Sequence, residues 1–310
     1  MRQSCSLSLP TRNGVGPGCI VLPTGPWAHV LDFLNERFTN VTREEIEARM
    51  TRGDVIDELG NSVLPTRRYT PNLKLYYYRS IAVEEAIPFD EEILFQDEQL
   101  VVVDKPHFLP VIPSGRYLQQ TLLIRLIRKL GIDTLAPMHR LDRETAGVMI
   151  FTVQPHLRGH YQQLFARREV TKHYQAIAPY RPELSLPLTR RSRLVPGEPF
   201  MRMQEIAGAE IDTCNAETQV ELLETLPCGQ LGRYRLTPFS GKKHQLRVHM
   251  AALGIPIVND KIYPVYQSNS GAEKTDYSQP LQLLAEAIAF NDPVTGERRH
   301  FSSRRQLQPA

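Results

Sequence analysis

The sequence lacks most of the features that mark a metal-binding, membrane or disulfide-stabilised protein. It has only four cysteines, and they form neither a C-x-x-C pair nor a zinc pattern with a nearby histidine, which favours ordinary reduced thiols. No apolar run approaches the ~20 residues that span a bilayer. No long apolar stretch follows the first arginine, as it would in a secretory signal. We therefore expect a cytoplasmic protein with no membrane partner.

Motifs for cofactors and an excess of one charge are also missing. The sequence contains neither a G-x-x-x-x-G-K-[ST] phosphate loop nor an H-E-x-x-H metal motif. The formal net charge of +3 permits an RNA partner without requiring one, because binding depends on how the charge is clustered. Taken singly, basic pairs such as Arg167-Arg168 and Lys242-Lys243 are typical of solvated faces.

Composition and periodicity divide the chain into three segments. Residues 1–26, rich in Gly, Pro and Ser, predict a flexible arm. Residues 27–83 predict a small subdomain, with one amphipathic helix from Trp27, a second helix whose capping box starts at Thr42, and two short strands in DVIDELGNSVL. Residues 84–310 alternate strand and helix patterns. They predict an α+β domain built on one extended sheet with flanking helices.

One short segment uses charge in an unusual way. In His139-Arg140-Leu141-Asp142-Arg143-Glu144-Thr145-Ala146-Gly147 an aspartate lies between two arginines, just before a strand-like apolar run. Neighbouring positive charges favour an ionised carboxylate, which can act as a nucleophile or a base. From the residues alone, however, a surface loop with charge pairs is the favoured interpretation.

Several motifs in a fixed order change that balance. HRLDRETAG resembles the H-R-L-D-x-x-T-S-G signature of RluA-type pseudouridine synthases. ILFQDEQLVVVDKPHFLPVIPSG upstream is similar to that family's first motif. VTKHYQA, LTPFSGKKHQLRVHMAALGIPIVNDKIY and LQLLAEAIAFNDPVTGE resemble its later ones. The resemblance runs from about Ile93 to Phe301, and several ordered motifs carry more weight than any one of them.

The resemblance implies a role for particular residues. Asp142 would be the catalytic aspartate, Tyr174 would stack on the target base, and Arg247 would pair with Asp142. Arg140 would enter the RNA stack in place of a flipped uridine. Lys172, Gln245 and His249 would support the pocket. The residues expected to contact RNA are Arg140, Arg143, Lys105, Lys172, Lys242, Lys243 and His244.

The resemblance also implies a fold and a reaction. We expect the pseudouridine synthase fold, a mixed and largely antiparallel sheet. The helix-helix-hairpin unit ahead of it resembles an S4-like RNA-binding domain, with Arg43, Arg49 and Arg52 as the main candidates for RNA contact, and a merely structural subdomain is the alternative. The expected substrate is a uridine in structured rRNA or tRNA, and the expected protein is a monomer. Isomerisation involves no redox change and no group donor, so we expect no cofactor and no metal.

Three departures from the family pattern leave an alternative open. Ala146 stands where Ser is usual, Lys242 where Arg is common, and Leu284 where many members have His. A catalytically silent RNA-binding or assembly factor could carry these changes. The retained Asp142, Tyr174 and Arg247 favour the enzyme.

Overall fold

A computed structural model describes residues 9, 11–39, 41–79, 84–206, 210–267 and 275–308. The chain forms two compact units. The N-terminal unit comprises Met1–Glu85 with Pro113–Gln119, and the large unit comprises Ala86–Ile112 with Gln120–Ala310. The predicted boundary at residue 84 lies close to the observed one, but the inclusion of residues 113–119 in the N-terminal unit was not predicted.

The N-terminal unit packs two helices and a three-stranded antiparallel sheet around its own core. Both predicted helices are present, and the Thr42 hydroxyl accepts a hydrogen bond from the Glu45 amide at 3.3 Å, as a capping residue should. The sheet order is β1-β3-β2. The elements are β1 (Gly18–Val21), α1 (Val30–Arg37), α2 (Arg43–Thr51), β2 (Val55–Asp57) and β3 (Lys74–Tyr77).

Two sequence predictions for this unit need correction. Strand β1 lies inside the predicted flexible arm, where it pairs with β3, and the next residue, Leu22, is fully buried. The predicted hairpin after Gly53 forms only as an isolated bridge between Ile56 and Ser62, flanked by backbone hydrogen bonds from the amides of Asp57 and Val63 at 2.9 Å, and β2 also pairs with β3, which was not predicted. Residues 1–8 and 10 of the predicted arm lie outside the described residues. The S4-like assignment is not confirmed.

The arginines expected to contact RNA in this unit all have acidic partners. Arg43 pairs with Asp32 at 3.0 Å, Arg49 with Glu45 at 2.8 Å, and Arg52 with Asp54 at 3.3 Å. Carboxylates therefore already offset the charges that the S4-like interpretation assigned to RNA.

The large unit is built on one ten-stranded mixed sheet, which confirms the predicted α+β class. Its main path runs β4-β5-β7-β14-β8-β13-β12-β9, with β6 beside β7 and β15 beside β14. Among the described strand pairs of this sheet, only β7 and β14 run parallel. The strands of this sheet are β4 (Glu92–Gln96), β5 (Leu100–Lys105), β6 (Ala136–Pro137), β7 (Ala146–Thr152), β8 (Thr171–Pro179), β9 (Leu188–Ser192), β12 (Ala216–Thr225), β13 (Leu231–Pro238), β14 (Leu283–Asn291) and β15 (Arg298–Ser302). A separate two-stranded hairpin is formed by β10 (Leu194–Pro196) and β11 (Met203–Glu205). The helices are α3 (Leu122–Leu130), α4 (Arg158–Ala166) and α5 (Gln245–Ala252).

Local sequence explains most of these elements. The apolar runs of β5 and β7 are buried along their whole length, whereas β13 alternates buried and half-buried residues, as a strand with one covered face should. Helix α3 ends at Gly131, whose φ of 67° is the left-handed conformation of a helix stop. Strands β9, β10 and β11 were not predicted, because two arginines interrupt β9 and because β10 and β11 have only three residues each, too few for a periodic pattern.

A close approach of β7 to β14 fixes the start of β7, directly after the aspartate loop. Gly147 pairs with Ala285, and a Cβ on Gly147 would lie 2.2 Å from the Ala285 carbonyl oxygen. Its φ of 114° is also strained for any other residue. The glycine of the H-R-L-D-x-x-T-x-G pattern therefore lets the two strands meet beside the loop that carries Asp142.

Candidate active site

Asp142 lies in the loop between β6 and β7, on the large unit. The Thr145 amide donates to the Asp142 carbonyl at 3.1 Å, which closes a tight turn. Thr145 is buried, but the Asp142 side chain is 31% exposed. The turn therefore presents one carboxylate to solvent from a rigid base.

Arg247, on helix α5, holds this carboxylate from behind. Its Nη1 donates to Asp142 Oδ2 at 3.3 Å. Its Nε and Nη2 donate to the two oxygens of Asp260 at 2.8 and 2.7 Å, a bidentate pair. Burial alone would lower the pKa of Arg247, but Asp260 first and Asp142 second raise it above its usual value. Arg247 is thus a fixed cation under Asp142, as predicted.

Asp260 was not given a role from the sequence. Its side chain is fully buried, and its Oδ1 also accepts from the amides of Ile262 and Tyr263 at 2.8 and 3.0 Å. These contacts leave the carboxylate no freedom to turn, so Asp260 orients Arg247. The N-D-K-I-Y pattern pointed to this segment, but the contact across 13 residues could not be inferred from it.

Tyr174, on β8, is partly buried and packs against the core formed by β8, β13 and α5. Burial, and then the charge of Asp142, raises the pKa of Tyr174 well above its usual value. The phenol therefore stays protonated at neutral pH. Arg247 thus contacts Asp142 directly, and Tyr174 lies within the range of the Asp142 charge.

His244 lies beside Asp142 and is largely buried. Its side chain is only 7% exposed, and its Nε2 lies 3.7 Å from Asp142 Oδ2. The other ring nitrogen lies 3.0 Å from the Tyr263 hydroxyl. Burial lowers the pKa of His244 to about 4, despite the opposing effect of Asp142. A neutral imidazole therefore borders the carboxylate at pH 7.

Lys105, at the end of β5, is also not a surface contact. It is fully buried, and its ammonium donates to the carbonyls of Pro106, Leu109 and Arg143 at 2.9, 2.8 and 3.0 Å. Burial lowers its pKa to about 7. Because Arg143 follows Asp142, Lys105 anchors the loop that carries Asp142.

The motif around Lys105 contributes a second anchor. His107 Nδ1 lies 2.7 Å from the Glu144 carbonyl oxygen. Buried histidines recur in the large unit, and burial is the main cause that lowers each of their pKa values. These values are about 4 for His107, about 3 for His139, about 4 for His244 and about 4 for His249.

The other predicted RNA contacts differ in how accessible they are. Arg140, Lys242 and Lys243 are exposed, and Arg140 has no ion pair or hydrogen bond to another described residue. Arg143 donates from Nε to Glu144 at 2.8 Å. Lys172 donates to the Ser240 carbonyl at 3.2 Å, and burial lowers its pKa. Three cations are therefore free for an external anion, and two are held by the protein.

Gln245 and His249 support the site only from a distance. Gln245 donates to the Glu217 carbonyl and to the Thr218 hydroxyl, each at 2.9 Å, at the start of α5. The His249 ring lies between two hydroxyls, with its Nε2 3.0 Å from Ser192 Oγ and its Nδ1 2.9 Å from Thr218 Oγ1. Both side chains fix α5 against β12, which in turn fixes Arg247.

Comparisons with known proteins agree with this geometry. Residues 99–252 match the family described as RNA pseudouridylate synthase. The chain is 33% identical over 220 residues to a dual-specificity RNA pseudouridine synthase RluA of Haemophilus influenzae, covering 69% of this chain and 92% of that protein. The chain belongs to the RluA-type pseudouridine synthase family. The synthase is thus an enzyme that isomerises uridine in RNA to pseudouridine.

Two further relatives extend the comparison. The synthase is 32% identical over 174 residues to the mitochondrial tRNA pseudouridine(32) synthase of Saccharomyces cerevisiae, covering 56% of this chain and 37% of that protein. The structure of human RNA pseudouridylate synthase domain containing 1 has the same fold, with a TM-score of 0.56 at 23% identity over 72% of this chain and 86% of that one.

The described residues include neither a metal-binding cluster nor a membrane-spanning helix. No group of three or more His, Cys, Asp or Glu side chains in the described ranges could hold a metal ion. Within the same ranges no helix is both long enough and apolar enough to cross a membrane.

Proposed function

We propose that the synthase modifies a uridine in structured rRNA or tRNA, with Asp142 as its catalytic carboxylate. The observation that carries the proposal is the chain of contacts from Asp142 through Arg247 to Asp260. A buried cation held by a fully buried carboxylate is costly, and here it serves to hold one accessible carboxylate. Such preorganisation is what a reacting group requires.

The reaction assigns work to Asp142 on the sugar side of the nucleotide. The N1–C1′ bond must break, the uracil must turn, and C5 must bond to C1′. A carboxylate can attack C1′, as in retaining glycosidases, or take the proton from C2′. The first route uses the carboxylate as a nucleophile and the second uses it as a base. Both need a carboxylate in the position of Asp142, and the proposal leaves the choice between them open.

Tyr174 serves as a surface for the base rather than as the base that removes the C5 proton. Its raised pKa keeps the phenol neutral at pH 7, so it is a poor proton acceptor. The C5 proton must leave to another acceptor, and a water relayed past the phenol is the simplest one. The ring itself can stack on uracil.

Arg140 is proposed to fill the stack that the flipped uridine leaves. It precedes the catalytic turn by two positions, it is exposed, and no other described residue holds its guanidinium. A planar guanidinium can stack on neighbouring bases and hydrogen bond to them. The exposed Lys242 and Lys243 are proposed to contact phosphates.

The substrate class rests on the named relatives. The H. influenzae protein is named as dual-specificity and the yeast protein as a tRNA synthase. We propose that this enzyme acts on rRNA, tRNA or both, as a cytoplasmic monomer and without a cofactor.

Tritium release from RNA labelled at uridine C5 tests the proposal. Unmodified rRNA and tRNA transcripts are assayed separately with wild type and with Asp142→Asn, which keeps the size of the side chain. Release by wild type alone supports the proposal and identifies the RNA class. Equal release by both proteins refutes the role of Asp142. RNA binding without release from either transcript would favour a silent RNA-binding or assembly factor.

A further inference from the structure

The hairpin formed by β10 and β11 presents two apolar side chains to solvent. Phe200 is 86% exposed and Met201 is 49% exposed. The Arg202 amide donates to the Pro199 carbonyl at 2.8 Å, so Phe200 and Met201 are the two central residues of a tight turn. A second bond, from the Gly197 amide to the Arg202 carbonyl at 3.1 Å, closes the loop. The turn therefore displays an aromatic ring at its apex, where nothing in the fold requires one.

The base of this hairpin is fastened to the active site. The Met203 amide donates to the Tyr263 hydroxyl at 2.7 Å, and that hydroxyl lies 3.0 Å from His244, the neighbour of Asp142. Arg202 donates to the Pro264 carbonyl at 2.8 Å, and its guanidinium lies 5.3 Å from the centre of the Tyr263 ring. The turn is thus held at a set position relative to the catalytic carboxylate.

A lysine lies beside the exposed ring. The Lys243 ammonium lies 5.9 Å from the centre of the Phe200 ring, and Lys242 precedes it on the same exposed loop. Glu198 is the acidic residue of the turn, and it is also exposed. Proteins bind unpaired nucleotides with this combination of an exposed aromatic ring and lysines: the base stacks on the ring and the phosphates contact the ammonium groups. A protein partner would need a broader apolar patch than one turn offers.

We infer that Phe200 is a stacking platform for an unpaired nucleotide of the substrate, with Lys243 bound to the adjoining phosphate. The inference rests on the proposed function and deepens it, since it selects uridines whose neighbours lie in a loop or bulge. A continuous duplex keeps its bases stacked and offers none to the ring.

Steady-state kinetics on the transcript that wild type modifies test the inference. Phe200→Ala should lower kcat/KM about tenfold or more, mostly through KM, because one base loses its aromatic support. Phe200→Trp should keep wild-type kinetics, and Phe200→Leu, which is apolar but not aromatic, should behave like Phe200→Ala. Val294→Ala, at an exposed turn of the same unit, is the matched control and should change nothing. Equal kcat/KM for Phe200→Ala and wild type would overturn the inference.

Filter binding of the same transcripts separates this inference from the proposed function, because it needs no turnover. Weaker binding by Phe200→Ala supports the platform even if no tritium is released, whereas equal binding overturns it even if the enzyme is active. Because the Phe200 side chain is exposed, Phe200→Ala should keep the wild-type Tm, and thermal unfolding checks this. A change of oligomeric state in Phe200→Ala with unchanged RNA binding would also overturn the inference, in favour of a second copy of the chain.

Discussion

Asp260→Asn should lower both the stability and the turnover of the enzyme, although Asp260 is buried and is not proposed to contact the substrate. The substitution keeps the shape of the side chain but removes its charge. Oδ1 can still accept from the amides of Ile262 and Tyr263. The new amide nitrogen would then face the Arg247 Nε, which now donates to Oδ2 at 2.8 Å. Two donors would meet, and a buried guanidinium would lose its main counter-charge.

The structure sets the size of this effect. Arg247 and Asp260 are 3% and 0% exposed, and removing one partner of such a buried pair costs about 3–5 kcal/mol. For a unit of this size that corresponds to a fall in Tm of roughly 6–20 °C. Because Arg247 would also lose its orientation toward Asp142, we expect kcat to fall on the order of a hundredfold.

Thermal unfolding and single-turnover tritium release measure the two effects. The matched control is Glu224→Gln, which breaks the 2.7 Å pair with Arg233 at a carboxylate that is 56% exposed. An exposed pair contributes about 0–1 kcal/mol, so this variant should keep both Tm and kcat. If Asp260→Asn were as stable and as active as Glu224→Gln, the argument that Asp260 holds the catalytic pair would be refuted.

Three further predictions follow from the buried and exposed charges. The free energy of unfolding, measured in urea, should decrease as pH falls from 6.5 to about 4. In this range the four histidines with lowered pKa values bind protons in the unfolded state but stay neutral in the folded state. Each contributes at most about 1.4 kcal/mol per pH unit, so His139→Phe should flatten the slope, and an unchanged slope would contradict the assignment. Lys105→Met should lower kcat more than it raises KM, since it frees the catalytic loop; an unchanged kcat would contradict the anchor. Arg140→Ala should raise KM for RNA and leave Tm unchanged, and a loss of Tm with unaltered KM would show a structural role instead.

The strongest periodic patterns predicted their elements well. The alternation in β13 and the apolar run of β7 reflect burial against neighbouring strands, and that burial is what the pattern records. Strand β9 has two adjacent arginines at its centre. It lacks a clear apolar pattern because it lies at the edge of the sheet. Strand β1 was mistaken for part of an arm, since a four-residue strand among glycines and prolines gives almost no periodic signal.

For the site, sequence motifs predicted the principal residues but not the direction of their side chains. The ordered motifs singled out Asp142, Tyr174 and Arg247, and the structure pairs Arg247 with Asp142. The burial of Lys105 and His244 could not be predicted, because a residue type does not state whether carbonyls surround the Lys105 ammonium or whether Asp142 and Tyr263 border the His244 ring. Asp260 carried no assignable role for the same reason, as its function is a contact with a distant residue.

Direct quantification of pseudouridine tests the central claim most closely. The transcript that releases tritium is incubated with excess wild type or Asp142→Asn, digested to nucleosides and separated by chromatography, with thermal unfolding showing that both proteins are folded. We predict that wild type forms pseudouridine in the transcript and that the folded, RNA-binding Asp142→Asn forms none. Pseudouridine formed at the wild-type rate by Asp142→Asn would contradict the assignment of Asp142 as the catalytic carboxylate.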